Sequence, residues 1–371
     1  NLPRIDYTGG VGSWKFEPQS TNLLSYSEDF SQSYWNKSGG VIISSNSTTS
    51  IDGTLNATKI NGANAYGSAF IPSTTVLSGV KYTYSVFAKK NISSKVSLRA
   101  MTTGNDTRVV FNLDDLSTNI SEGYDIGYDS SSIEVYSNGW YKCILTVTTA
   151  TTSLRLNIYP DSPSNVSSQS GVYIFGAMLE VGSYPTSYIR SNTGSATTRL
   201  ADVANNAGSS DLINSTQGVL CAEIAALAND GTYRGLCLSN GSASNRVLIY
   251  LNNGSNQLRA NVVAQGNLQA NLIYTVLDVT ILNKVAIRWS LNNVSFWING
   301  SKVLQDLDAP LMPTGLNELS FDSNGVGGEK FFGNTKSVAV FKEALTDLEL
   351  ECLVSWMSFS DLGINFGYTV E

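Results

Sequence analysis

The sequence predicts an all-β protein, two tandem antiparallel β-sandwiches preceded by an extended N-terminal arm, and three observations carry that prediction. Charged residues are only 14% of the 371 and hydrophobic residues 42%, with Asn, Ser, Thr and Gly filling the difference. That balance, with 18 Tyr, favours sheets displayed to solvent over helices or disorder. Apolar and polar residues alternate with period two in many short runs, the period of side chains on a pleated strand. The alternation stops once, around residues 182–210, which splits the chain into two stretches each long enough for its own core.

Taken in order, residues 1–24 hold Pro3, Gly9, Gly10, Gly12 and Pro18 with Trp14 and Phe16 between them. This is too broken for a regular strand pair, so it reads as an extended arm anchored by its rings on its own or a neighbouring subunit. Residues 25–190 form the first sandwich. Tyr82, Tyr84, Val86 and Ala88 fall on one strand face, and Tyr141, Cys143, Leu145 and Val147 on another. Leu154, Leu156 and Ile158 follow, and Asn138-Gly139 is a turn that delivers Trp140 to a strand start. Residues 172–179 are an almost unbroken apolar run, as expected of a strand covered on both faces. Pro185 then ends the pattern, and residues 191–210 read as a linker.

Residues 211–358 repeat the style. Val219, Cys221, Glu223 and Ala225 alternate, as do Val285, Ile287 and Trp289, and Asn292-Asn293 joins that run to Val294, Phe296 and Ile298 as a tight hairpin. Thr346 with Glu349 three residues on predicts a capping box for one short helix. Residues 359–371 form a tail without a clear period. Trp140 and Trp289 sit in phase with apolar positions and are assigned to the cores.

Composition removes several function classes. There is no His, which excludes Ser-His-Asp and Cys-His catalysis and His-containing metal sites. The net charge of −7 repels polyanions, so nucleic acid is excluded as a partner. No apolar run approaches the ~20 residues of a membrane helix, so no membrane insertion is expected. Cys143, Cys221, Cys237 and Cys352 lack CxxC spacing; Cys143 and Cys221 lie in apolar strand text and read as buried free thiols, with disulfides left open as the alternative.

Two stretches resemble known families. GVYIFGAMLEVGSYPTSYI with TGSATTRLAD, residues 171–202, and PRIDYTGGVGSWKFEPQSTNLLSYSEDFSQSYW, residues 3–35, are similar to the leader and the carbohydrate-binding-module-like jelly roll of tailed-bacteriophage tail and fibre proteins, crAss-like phages included. KVAIRWSLNNVSFWINGSKV and VAVFKEALTDLELECL, residues 284–303 and 338–353, resemble concanavalin-like or laminin-G-like sandwiches. The resemblance implies a jelly roll followed by a concanavalin/laminin-G-like domain, on a virion surface and made in the cytoplasm of a bacterial host. It implies other virion proteins as partners, a homotrimer, and either binding to host-surface polysaccharide or glycan or decoration of the particle. The chain opens without Met on leader-like text, so residues upstream are expected.

A sugar-binding site needs rings on loops or on an open sheet face, with polar groups for the hydroxyls. Trp35, Tyr66, Tyr159 and Trp297 have polar or turn-like surroundings and are the candidates. Asp322, Asn324 and Glu329 in FDSNGVGGEK are the oxygen donors a calcium ion would use, although the loop lacks DxDxDG spacing. Asp114, Asp115, Asp125 and Asp129 lie in turns, and nothing in the sequence places two of them across a groove as glycosidase carboxylates. The reading is therefore a non-enzymatic binding protein without a cofactor. A polysaccharide depolymerase or its binding part, and a bacterial surface adhesin, remain open alternatives.

Overall fold

The computed structural model describes residues 4–7, 12–325 and 327–355. It divides into two compact units, Gln19–Leu200 on the one hand and Asn1–Pro18 with Ala201–Glu371 on the other. Both are antiparallel β-sandwiches, so the predicted all-β class is the observed one.

In the unit of residues 19–200, one six-stranded sheet runs Thr118–Asp125, Asn105–Asn112, Lys95–Thr102, Ser153–Tyr159, Ala69–Thr75 and Asn36–Lys37 in spatial order. The facing sheet runs Tyr128–Val135, Trp140–Thr148, Lys81–Lys90, Gly171–Val181, Ala57–Asn61 and Ile42–Thr48. Alternation places Leu98, Phe111 and Leu156 of the first sheet against Tyr84, Val86, Leu145 and Ile174 of the second, all fully or almost fully buried. Burying each such side chain contributes about 1.5–3 kcal/mol. The Gly171–Val181 strand is buried along nearly its whole length, as its unbroken apolar text requires.

In the other unit a seven-stranded sheet runs Arg4–Asp6, Ser13–Phe16, Gly333–Phe341, Gly218–Ala226, Asn283–Trp289, Val294–Ile298 and Ser301–Asp306. It packs on a five-stranded sheet of Asn267–Thr275, Gln257–Ala264, Arg246–Leu251, Arg234–Ser239 and Glu318–Ser320. The helix Asp347–Val354 begins at the predicted capping box, with Thr346 and Glu349 exchanging bonds. Its Leu350, Leu353 and Val354 cover Trp297 and Cys221 on the outer face of the seven-stranded sheet.

The expected arm is not an arm. Its described residues form two strands of the second sandwich, Ser13–Phe16 pairing with Gly333–Phe341, and a third, Ser20–Asn22, pairing with Thr197–Arg199. Phe16 stacks on Phe321 at 4.4 Å between ring centroids and meets Phe331 edge-on. A four-residue strand between Gly and Pro carries no local period, and the strand that completes Ser13–Phe16 lies more than 300 residues on. The expected linker is likewise tied down: the Ser191 carbonyl accepts from the Ser27 amide at 2.7 Å, and the Asp202 amide donates to the Glu17 carbonyl at 3.0 Å. The tail 359–371 lies outside the described residues. Cys143, Cys221 and Cys237 are buried and Cys352 half-buried, all free thiols.

Replacing Phe16 by Ala is expected to destabilise the second sandwich by about 3–5 kcal/mol, the cost of emptying an aromatic slot in a core. Trp14→Ala, two residues away but 51% exposed, is expected to cost less than about 0.5 kcal/mol. Urea unfolding of the two variants checks the contrast; equal midpoints would show that the Phe16 strand adds nothing to that core.

Candidate functional site

The five-stranded sheet of the second sandwich turns one face to the core and the other outward, and the outward face holds a cleft. On the Arg246–Leu251 strand Val247, Ile249 and Leu251 point into the core, which leaves Arg246, Leu248 and Tyr250 on the other side. Register sets Tyr250 opposite Arg259 and Leu248 opposite Asn261. Cys237, Leu248 and Tyr250 form a small apolar floor. Tyr233 leans on Tyr250 with ring centroids 5.8 Å apart. The cleft is lined by these two rings with Arg246, Leu248, Arg259, Ser323 and Glu329, and its volume is about 270 Å³.

The loop 321–330 supplies the upper wall, and Gly235 is what lets it come close. A Cβ at residue 235 would stand 2.9 Å from the Ser323 Cα, and the Gly235 amide donates to the Glu329 carbonyl at 3.2 Å. The Arg246 guanidinium donates to the Ser323 carbonyl, while its Nε is buried without an acceptor. The Arg259 Nε donates to Asn271 Oδ1 at 2.6 Å and to Asn261 Oδ1 at 3.2 Å, with the guanidinium 5.2 Å from the Tyr250 ring. The Ser323 hydroxyl bond, helped by the Arg246 charge, holds Glu329 below the ordinary carboxylate range. Burial pushes the Tyr250 phenol up. The cleft thus presents a flat aromatic shelf beside two permanent cations and one carboxylate, a surface suited to a polar ring with hydroxyl and anionic substituents.

The four rings singled out from the sequence fall in different places. Trp35 is fully buried, packs on Phe30 at 4.9 Å and donates its indole N–H to the Tyr26 carbonyl at 2.7 Å, so it belongs to the core of the first sandwich. Trp297 is buried under the helix with its N–H on Ser295 Oγ at 3.0 Å, and it too packs rather than binds. Tyr66 and Tyr159 meet at one group: the Arg108 guanidinium lies 5.7 Å from each ring. Tyr66 is 56% exposed and Tyr159 buried. Trp140 and Trp289 are fully buried, as their phase predicts.

Asp322, Asn324 and Glu329 do not form a calcium site. Asp322 is completely buried, and its two carboxylate oxygens accept four N–H donors, from the amides of Asn324, Gly325 and Gly327 and from the Asn205 side chain. Hydrogens occupy the lone pairs a cation would need. Asn324 Oδ1 accepts from the Gly328 amide at 2.8 Å and Glu329 from Ser323. Their real work is to brace the loop that walls the cleft. Among the described residues no three His, Cys, Asp or Glu gather as metal ligands. The turn carboxylates are also engaged: Asp114 with Lys90 at 2.6 Å, Asp115 with Ser117 at 2.6 Å and Asp129 with Lys81 at 2.8 Å.

No family model matches the chain, and no curated protein does. Solved structures similar to it include the Ruminococcus gnavus IT-sialidase CBM40 bound to α2,3 sialyllactose, 15% identical over 42% of this chain and 95% of that one, TM-score 0.34. The native heptameric SAP-like pentraxin of Limulus polyphemus is similar at 15% identity over 42% and 81% of the two chains, TM-score 0.32. Mouse laminin α1 domains LG4-5 are similar at 10% identity over 75% and 86%, TM-score 0.26. These likenesses are of β-sandwich architecture.

Two outcomes follow from the cleft and its loop. Calcium added at about 1 mM is expected to leave the melting temperature unchanged, because Asp322 has no lone pairs to offer; a rise of several degrees in calorimetry would restore the metal site. The cleft's charged groups are two guanidiniums and a carboxylate held low, so affinity for a neutral glycan is expected to be flat from about pH 5 to about pH 9. Calorimetric titrations across that range check it, and a step near neutrality would require a titrating group the cleft lacks.

Proposed function

We infer that this chain is a non-enzymatic glycan-binding protein of a bacteriophage virion, a fibre or spike component that engages host-surface polysaccharide through the cleft on its second sandwich. The observation that carries the binding reading is the tyrosine shelf of Tyr233 and Tyr250 set beside Arg246 and Arg259 in a preformed concavity. Aromatic faces take the apolar face of a pyranose, and fixed polar groups orient its substituents. What speaks for binding without chemistry is the state of the carboxylates. Asp114 and Asp115 are held below their ordinary range, by the Lys90 ammonium and the Ser117 hydroxyl respectively. Glu180, which burial pushes up, is sealed in a pocket with Ser20 and Thr186. A glycosidase needs one raised and one ionised carboxylate facing a common substrate. The virion setting, the other virion proteins as partners and the homotrimer rest on the leader-plus-jelly-roll text.

A glycan array of the purified chain tests the reading. Binding confined to one glycan class is expected, with affinity falling about tenfold, ~1.4 kcal/mol, in Tyr233→Ala and in Arg259→Ala. A folded protein that binds no glycan, or variants that bind unchanged, would reassign the cleft to packing. Light scattering addresses assembly separately, the expected mass being three times that of the chain.

A further inference from the structure

Arg108 sits on the outer face of the Asn105–Asn112 strand, in the first sandwich, and is 5% exposed. Its Nε is buried without an acceptor, and its guanidinium has neither a hydrogen bond nor a carboxylate partner among the described residues. Register sets it opposite Arg99, whose guanidinium is by contrast clamped by both oxygens of Asp106, at 2.8 and 2.5 Å. A guanidinium cannot escape burial by losing its proton, and a buried Nε–H without an acceptor is costly.

Three rings define the shape of that acceptor. Tyr124 stacks on the Arg108 guanidinium at 3.6 Å, and Tyr66 and Tyr159 flank it at 5.7 Å. The Tyr124 ring covers one face of the fork, and its edge carries the donors a partner would use. Tyr66 stands at φ 63°, a left-handed conformation that a bulky residue adopts only when its surroundings impose it, and one that recurs at ligand clamps. The bond from its amide to the Pro163 carbonyl at 2.7 Å holds it there. On the next strand but one, register sets Asn157 opposite Arg99, and Asn157 is buried and fixed by Ser68 and Arg155.

We propose that Arg108, with Tyr66, Tyr124 and Tyr159, forms a second binding site that takes the carboxylate of an acidic saccharide, a uronic-acid residue whose ring lies on the exposed Tyr66. A planar two-oxygen anion matches the edge of a guanidinium held against the Tyr124 ring. The chain's net charge of −7 disfavours a densely charged polyanion, so a single carboxylate on a sugar ring suits this site better than a phosphate run. The site shares no residue with the cleft of the second sandwich and goes beyond the function assigned to it.

Calorimetric titration of the full chain carrying Tyr233→Ala and Arg259→Ala, which together weaken the cleft, isolates the site. The probes are methyl galacturonoside, which carries one carboxylate, and its methyl ester, the same ring without charge. The acid is expected to bind and the ester to bind at least tenfold more weakly. Arg108→Met, which fills the same volume without donors, is expected to weaken the acid at least tenfold. Arg108→Lys keeps charge and stem, and decides the matter if the Met variant fails to fold; it too is expected to weaken the acid, because the two-pronged bond is lost. Equal binding of acid and ester, undiminished affinity in the folded Arg108 variants, or no binding of the acid would overturn the proposal.

Discussion

The second sandwich depends on one buried charge cluster at the place where the chain leaves it and returns. Glu17 and Asp202 have fully buried side chains, and Arg4 reaches both, at 3.0 and 3.1 Å. The Glu17 amide donates to the Asp202 carboxylate at 2.9 Å. Two carboxylates without a cation would repel one another in a low-dielectric setting, so Arg4, with Lys15 3.6 Å from Glu17, makes the arrangement tolerable, and the backbone bonds fix its register. Breaking such a cluster by removing one partner costs about 3–5 kcal/mol where the charges are buried, less here because Arg4 is about one-third exposed. The cluster adds to what the strand pairings and the Phe321 and Phe331 rings already supply in seating Arg4–Asp6 and Phe16.

Both sandwiches then follow one division of labour. Inner faces are closed by aliphatic and aromatic side chains, while outer faces carry arginines laid against tyrosines, Arg259 on Tyr250 in one unit and Arg108 on Tyr124 in the other. Rings of this kind hold a guanidinium flat without neutralising it. That keeps localised positive charge available on a protein whose net charge is negative. The loop 321–330 is held by Asp322, whose carboxylate accepts from the amides of Asn324, Gly325 and Gly327 and from the Asn205 side chain.

Much of the fold was legible because alternation is a local property. The 81–90, 140–148 and 283–289 runs declare their buried faces residue by residue, and Trp140 and Trp289 lie where phase puts them. The capping box at Thr346 was legible for the same reason. What escaped is long-range. Nothing in SWKF signals a partner beyond residue 330, and nothing in the polar text around Trp35 shows that the Tyr26 carbonyl will satisfy its indole. The cleft escaped for a different reason: RVLIYL reads as a continuous apolar run, so the outward faces of Leu248 and Tyr250 cannot be told from the inward ones until a second sheet is in place. Tyr66 and Tyr159 were found as rings, but the arginine between them comes from a different strand, and charge inside strand text carries no positional signal.

The pairing of Ser13–Phe16 with Gly333–Phe341 fixes the order in which the chain matures during synthesis. The unit of residues 19–200 is complete as soon as it leaves the ribosome, and its strands close over sequence separations within that unit. The second sandwich has its first strands translated before the first sandwich and the strand that seats them only after it, so Phe16 remains without its aromatic partners Phe321 and Phe331 while more than 300 residues are made. A nascent chain arrested before residue 333 would therefore display one finished sandwich and one waiting aromatic hook, the state in which this protein is most exposed to misassembly.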